Sequence, residues 1–318
     1  MATILSKEQL NLLENRLTQA LDSYEVIPSI SEEEQQAKAN AELLQAYLSA
    51  KKIEGCSEKT IGYYQSTIDT LFVAVCKPVC DVTTNDIRNY LSGYQEQRKV
   101  SRVTIDNMRR IFSSFFAWLE DEDFIVKSPV RRIHRVRTES LVKEVLTDEN
   151  MEVLRDSCQE IRDIAMIDLL ASTGMRVGEL VNLNREDIDF HERQCVVFGK
   201  GNKEREVYFN ARTKIHLQNY LSSRTDDNPA LFVSLSNPHS RLSISGVEVR
   251  LRTLGRKVNI AKVHPHKFRR TLATMAIDKG MPIEQVQRLL GHVKIDTTLH
   301  YAMVNQNNVK MAHRKYIG

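Results

Sequence analysis

No stretch of the chain approaches the ~20 consecutive apolar residues that a membrane-spanning helix requires, so no membrane partner is expected. The N-terminus, Met1-Ala-Thr-Ile-Leu-Ser-Lys-Glu8, lacks a basic region followed by a hydrophobic one, so export is not expected and a cytoplasmic location is. Cysteine is sparse and scattered: Cys56, Cys76, Cys80, Cys158 and Cys195 form an odd set that reads as reduced thiols. Cys76 and Cys80 stand close in sequence, but no second ligand pair accompanies them. A nucleotide loop is missing too, because Gly199-Lys200-Gly201-Asn202-Lys203 departs from G-x-x-x-x-G-K-[ST] and no helix follows it. His264-Pro265-His266 holds a His-x-His pair, yet no Cys or carboxylate is spaced to complete a zinc site, so no metal is expected. Internal repeats and low-complexity tracts are likewise absent.

What is present is enough for two ordinary cores. A chain of 318 residues is longer than one domain usually is, and a 42% hydrophobic content with mean hydropathy −0.37 suits a globular protein. The net charge of +4 is unevenly spread. Residues 1–40 carry three Lys/Arg against seven Asp/Glu, residues 41–143 sixteen against thirteen, and residues 144–318 twenty-six against twenty-one. An acidic head therefore masks two mildly basic bodies, which permits nucleic-acid binding without demonstrating it.

Residues 1–25 read as one helix, with Leu10, Leu13, Leu17 and Leu21 at three- and four-residue steps. Ser31 followed by three glutamates predicts a capped second helix running through Ala50. Residues 1–40 are assigned as an acidic helical extension, suited to packing on a domain or partner rather than on DNA. From 41 to 125 the pattern stays helical. The helix from Ser101 carries Ile105, Met108, Phe112, Phe115 and Leu119 on one stripe and Arg102, Asp106, Arg109 and Ser113 on the other. That second stripe is either a solvated face or a phosphate-contacting one, with Arg98, Lys99 and Arg110 beside it. Lys127–Arg137 has six basic residues in eleven and no acidic one, so it is expected not to pack as core but to extend along an anionic surface. The linker is placed at 126–143, the second domain at 144–304 and a tail at 305–318. Within the second domain, 194–198 and 205–209 predict a hairpin, Leu231–Ser234 a third strand, and helices are expected at 148–158, 160–172, 177–183, 213–222, 243–258, 266–279, 282–290 and 296–303.

Several side chains in this domain could carry chemistry. Gly174 can end one helix in a left-handed cap, leaving Arg176 in the first turn of the next with Glu179 one turn on, where a carboxylate can orient the guanidinium. An ordinary surface ion pair would look the same in sequence. Lys200 sits at a hairpin tip, as a solvated turn lysine or as a charge held out on a short arm. Pro265 suits a first helical position, which puts His266 and Arg269 one turn apart near a helix N-terminus that favours anions. Gly291 caps the following helix and presents His292 beyond its end, and Tyr301 follows on another helix. Imidazole, guanidinium and phenol in this order suit chemistry at a phosphodiester.

Taken together, Thr173-Gly-Met-Arg176-Val-Gly-Glu179-Leu180, Gly199-Lys200-Gly-Asn-Lys203, His266-Lys-Phe-Arg269, Leu290-Gly-His292 and Tyr301 resemble the tyrosine recombinases, the phage-integrase and Xer-like site-specific recombinases. The resemblance implies an all-α core-binding domain and a mainly α, α+β catalytic domain with a small antiparallel sheet, clamping duplex DNA. It implies Tyr301 as nucleophile, Arg176 and Arg269 on the non-bridging oxygens, Lys200 protonating the leaving oxygen, His266 moving the tyrosine proton, His292 on the phosphoryl group and Glu179 orienting its neighbours. DNA contacts are expected from Arg98, Lys99, Arg102, Arg109, Arg110, Arg131, Arg132, Arg135, Arg137 and Lys203. No cofactor or metal is implied. The implied partners are double-stranded DNA with paired inverted-repeat core sites, further copies of the chain in a tetramer on DNA, and accessory DNA-bending or directionality proteins, with the tail docking on a neighbouring protomer in a bacterial cytoplasm. A type IB topoisomerase and a catalytically silent DNA-binding relative are the alternatives. Two features depart from the family's simplest members: the acidic head, and Arg270 where a His is frequent.

Overall fold

The computed structural model describes residues 7–21, 31–137, 144–199 and 204–292, and the chain divides into two compact units, Met1–Ser140 and Leu141–Gly318.

The N-terminal unit is helical: α1 (Lys7–Leu21), α2 (Glu32–Ile53), α3 (Glu58–Val75), α4 (Thr84–Arg98) and α5 (Arg102–Asp121). Local chemistry sets the starts of the last four. Ser31, Ser57, Thr83 and Ser101 each accept a backbone N–H from the first turn, and Ser31 and Thr83 close full capping boxes with Glu34 and Asp86. Each such cap contributes ~1 kcal/mol. The apolar stripe of α5 is buried along its length and packs with Leu44, Tyr47, Ile68, Leu71 and Ile87. Tyr47 brings its polar end with it, donating to the Ser114 hydroxyl at 2.8 Å. Helix α1 takes up all the described residues of the helix expected over 1–25, and Leu10, Leu13 and Leu17 stand exposed on it.

Two expectations for this unit are corrected. The second stripe of α5 is not solvated along its length: Arg102 is exposed, but Asp106 is only 4% exposed and accepts from Arg109 Nε at 3.0 Å and Arg110 Nε at 2.9 Å. Nor is the basic run free of the core. Val130 is buried, Ile133 and Val136 pack against the same cluster, and Pro129–Arg132 winds into a 3-10 turn. The Ser128 N–H donates to Glu120 at 2.9 Å, the Thr84 hydroxyl to the Pro129 carbonyl at 2.7 Å, and the Val136 N–H to Asp106 at 3.1 Å. The reason is that Val130, Ile133 and Val136 recur every third residue between the arginines and give the segment one apolar side.

The second unit contains α6 (Asp148–Asp156), α7 (Ile161–Thr173), α8 (Val177–Asn182), β1 (Ile188–Asp189), β2 (Gln194–Phe198), β3 (Glu204–Tyr208), α9 (Ala211–Ser222), α10 (Ile244–Lys257), α11 (Pro265–Asp278) and α12 (Ile283–Leu290). Helix α7 is the central post: Ala165, Met166, Ile167, Leu169 and Leu170 are fully buried, as are Asp163 and Asp168. Those two carboxylates are paired, Asp163 with Arg162 and Arg250, Asp168 with Arg155 and His216. Burying a charge is tolerated only with such partners.

The sheet is antiparallel in the order β1-β2-β3, with Cys195 opposite Val207 and Val197 opposite Arg205. Its inner face carries Cys195, Val197 and Val207. The expected strand at Leu231–Ser234 does not form, and Ile188–Asp189 supplies the third strand instead. Leu231, Phe232 and Val233 are all buried in succession, so the alternation of a half-buried strand is lost. The segment is a core plug tied at single points, with Leu231 N–H donating to the Leu183 carbonyl at 2.8 Å and Leu242 N–H to the Phe232 carbonyl at 2.9 Å.

Candidate active site

Gly174 ends α7 in the left-handed region at φ +60. A side chain there would also come within 2.8 Å of a Leu272 methyl and 3.1 Å of a Leu290 methyl, so both the turn and the close packing of α7 on α11 and α12 need glycine. The tight exit buries Met175 and sets Arg176 at the N-cap of α8, one position before the first turn that the sequence suggested. The Arg176 N–H donates to Glu179 Oε2 at 2.7 Å and its Nη1 to Glu179 Oε1 at 2.8 Å. The Glu179 side chain is only 3% exposed, which removes the reading of an ordinary surface pair.

Arg205 on β3, a residue that the sequence reading passed over, completes this carboxylate. Its Nη1 donates to Glu179 Oε1 at 2.7 Å and its Nη2 to Oε2 at 2.8 Å. Burial pushes the Glu179 carboxyl up, but the Arg205 fork and the Arg176 donors outweigh it and hold the pKa below the usual carboxylate range. A signal for Arg205 existed, since strand alternation puts it on the same face as buried Val207.

Helix α11 begins as expected, with His264 at the N-cap and Pro265 in the first turn. One turn on, Arg269 is 3% exposed and reaches two other elements. Its Nη1 donates to the Gly174 carbonyl at 2.7 Å and its Nη2 to the Leu290 carbonyl. Arg176 Nη2 donates to the Gly291 carbonyl at 3.2 Å, and Arg205 Nε lies 3.4 Å from the Leu289 carbonyl. Three guanidiniums from α8, β3 and α11 thus converge on three successive carbonyls at the C-terminus of α12. That end carries the partial negative charge of the helix and the acceptors left without an intrahelical partner. Gly291 caps it at φ +64.

His292 follows directly and is half-buried. Desolvation, and then the charges of Arg269, Arg176 and Arg205, push its pKa down to about 4, so the ring is neutral near pH 7. His266 is exposed, yet the protein crowded around it and the charges of Arg269, Arg176 and Arg270 also lower its pKa. His264, edge-on to His266 with ring centroids 6.5 Å apart, is lowered by burial and then by Arg270, His266 and Lys267. Among the described residues no group of His, Cys, Asp or Glu side chains is arranged to hold a metal ion.

Arg176, Glu179, Arg269 and His292 are therefore gathered in one place, with His266 near enough to feel both arginines. Lys200, Lys203 and Tyr301 lie outside the described residues, as do the helix expected at 296–303 and the tail at 305–318. In the N-terminal unit Arg98, Lys99, Arg102, Arg110, Arg131, Arg132, Arg135 and Arg137 are exposed. Arg109 is not, its side chain being 14% exposed and tied to Asp106.

Comparison with known proteins agrees with this architecture. Residues 144–308 match the phage integrase family, and residues 43–125 match the N-terminal SAM-like domain of phage integrases. Tyrosine recombinase XerC of Staphylococcus aureus (strain bovine RF122 / ET3-1) is 30% identical over 284 residues, spanning 85% of this chain and 94% of that one. The crystal structure of XerA recombinase is 28% identical with a TM-score of 0.51, covering 88% of this chain and 99% of that one. The Tn1549 transposon integrase, solved in complex with a circular intermediate DNA, shares the fold with a TM-score of 0.70 at 20% identity, covering 86% and 98%. The chain belongs to the phage integrase family and is a tyrosine-type site-specific recombinase.

Proposed function

We propose that the protein cuts and rejoins duplex DNA at paired inverted-repeat sites through a 3′-phosphotyrosyl intermediate, within a tetramer assembled on the DNA. The observation that carries this reading is the convergence of Arg176, Arg269 and neutral His292 at the C-terminus of α12, a few residues upstream of Tyr301 in sequence. The Tyr301 hydroxyl gives its proton to His266, whose lowered pKa leaves the ring neutral and able to take it. The phenolic oxygen attacks phosphorus, the bond to the 5′-oxygen breaks, and the leaving oxygen takes a proton from Lys200. Arg176 and Arg269 neutralise the charge that builds on the non-bridging oxygens, while His292 donates a hydrogen bond to one of them. The phosphotyrosyl bond conserves the energy of the broken diester, so a 5′-hydroxyl can attack it in the reverse sequence without ATP or metal.

Residues 41–125 and 144–304 grip the duplex from two domains, and the exposed Arg98, Lys99, Arg102, Arg110, Arg131, Arg132, Arg135 and Arg137 contact backbone phosphates, as does Lys203. The tail at 305–318 docks on a neighbouring protomer. A nicked suicide substrate tests the chemistry. Wild type is expected to give a protein–DNA adduct stable to denaturant, and Tyr301→Phe none. An absent wild-type adduct on the cognate site would overturn the catalytic reading in favour of a silent DNA-binding relative. Relaxation of any supercoiled plasmid without a partner site would favour a topoisomerase.

A further inference from the structure

Arg205 takes no step in the proposed reaction, yet its guanidinium is the most heavily engaged one around Glu179. Its side chain is 11% exposed. The Glu179 carboxylate accepts four hydrogen bonds, two at each oxygen: Oε1 from Arg176 Nη1 and Arg205 Nη1, Oε2 from the Arg176 N–H and Arg205 Nη2. Its opposite edge faces α12, with Nε 3.4 Å from the Leu289 carbonyl. A side chain at Gly291 would come within 2.8 Å of Arg205 Cδ, so the aliphatic part of Arg205 lies flat on the turn that leads into His292.

The charge count gives this geometry its consequence. Glu179 is buried beside a guanidinium that, on the proposed chemistry, must stay available to a phosphate. With Arg205 present the carboxylate already has a full counter-charge, and the charge of Arg176 is left to the substrate. With Arg205 gone, the carboxylate would be neutralised by Arg176 alone, and the turn at Leu289–Gly291 would lose the side chain on which it rests.

We infer that Arg205 is a positioning residue for strand cleavage: its fork keeps Glu179 from quenching Arg176, and its shaft holds the α12 turn that presents His292. The inference rests on the cleavage chemistry proposed above. A planar fork is needed, so lysine is not an equivalent replacement.

The test is single-turnover cleavage of the suicide substrate by Arg205→Gln, Arg205→Lys, Glu179→Gln and the double variant Glu179→Gln/Arg205→Gln, with DNA affinity and thermal melting recorded for each. Arg205→Gln is expected to cleave roughly 100-fold more slowly, the size of a small displacement at a reacting centre, with DNA affinity little changed. Arg205→Lys, which keeps the charge and loses the fork, is expected to fall by about 10-fold or more. The double variant is expected to cleave faster than Arg205→Gln, because the uncompensated carboxylate has been removed; a purely structural role would make it slower. Wild-type cleavage by Arg205→Gln, or a double variant no faster than Arg205→Gln, would overturn the inference. Should Arg205→Gln fail to melt cooperatively, Arg205→Lys decides, and a wild-type rate in that variant rejects the fork. If the wild-type protein itself forms no adduct, it is the proposed function that fails.

Discussion

Asp106 and Val136 are thirty residues apart in sequence and are joined by a 3.1 Å hydrogen bond from the Val136 N–H to the buried carboxylate. The same carboxylate takes Arg109 and Arg110, so one side chain fastens the basic run to α5 and fixes two arginines on it. Asp106→Ala leaves the Val136 N–H and Arg109 without their acceptor and is expected to destabilise the N-terminal unit by about 1–3 kcal/mol, read as a lower melting temperature. Burial pushes the Asp106 carboxyl up, but the Arg109 and Val136 donors outweigh it and hold the pKa below the ordinary value. Its stabilisation is therefore present above the unfolded carboxylate pKa of ~4 and is lost as pH falls through the lower folded value. Equal acid sensitivity in wild type and Asp106→Ala would count against this anchor.

His292 gives a pH prediction of the same sign in a higher window, although here it is the neutral form that the fold favours. Its pKa, pushed down to about 4, means that the ring stays neutral in the folded protein where an unfolded histidine would already be charged. The sign follows directly: the unfolded chain binds the proton first, so stability is full above ~6.5 and declines as pH falls towards the folded value. A ring titration followed by NMR is expected to show His292 still neutral at pH 6, with protonation setting in only as pH falls towards about 4. A midpoint near the ordinary histidine value would mean that burial and the charges of Arg269, Arg176 and Arg205 do not act on the ring.

Gly174 and Gly178 stand four residues apart and are expected to respond in opposite directions. Gly174→Ala must hold a left-handed residue, which costs about 1–2 kcal/mol, and in addition displaces the Leu272 and Leu290 methyls. Gly178 lies within α8 with nothing within 4 Å of an added methyl, so Gly178→Ala is expected to stabilise by about 0.4–1 kcal/mol. Denaturant melts of the two variants give both signs in one experiment, and a neutral Gly174→Ala would contradict the packing of α7 on α11 and α12.

Much of this organisation is legible in the sequence where it is local. The caps at Ser31, Ser57, Thr83 and Ser101, the stripe of α5, the left-handed exits at Gly174 and Gly291 and the spacing of Arg176 to Glu179 all depend on residues within one turn of each other. What escaped depends on distance. Arg205 meets Glu179 across 26 residues and its strand shows only a charged residue on an inward position. Asp106 reads as half of a polar stripe until the segment around Val136 folds back over it. Leu231–Ser234 carries a strand's composition, but burial on every side follows from the elements packed around it and not from its own period.

Arg269 puts the strongest demand on the arrangement. It lies almost wholly inside the protein, and its two terminal nitrogens reach carbonyls from different elements, Gly174 at the end of α7 and Leu290 at the end of α12. A lysine at this position keeps the charge but offers a single ammonium, which cannot span both carbonyls and still face a phosphate. Arg269→Lys is therefore expected to lose two things at once. The join between α7 and α12 loosens, lowering the melting temperature by a few degrees for a loss of about 1–2 kcal/mol. On the proposed chemistry, cleavage of the suicide substrate falls further, by roughly 100-fold, because the remaining charge is no longer aimed at the oxygens that gain charge in the transition state. DNA affinity is expected to change little, since the exposed arginines that would grip the backbone are untouched. A variant that cleaves at the wild-type rate would show that charge at this position suffices and that its two-point hold on the helix ends is incidental.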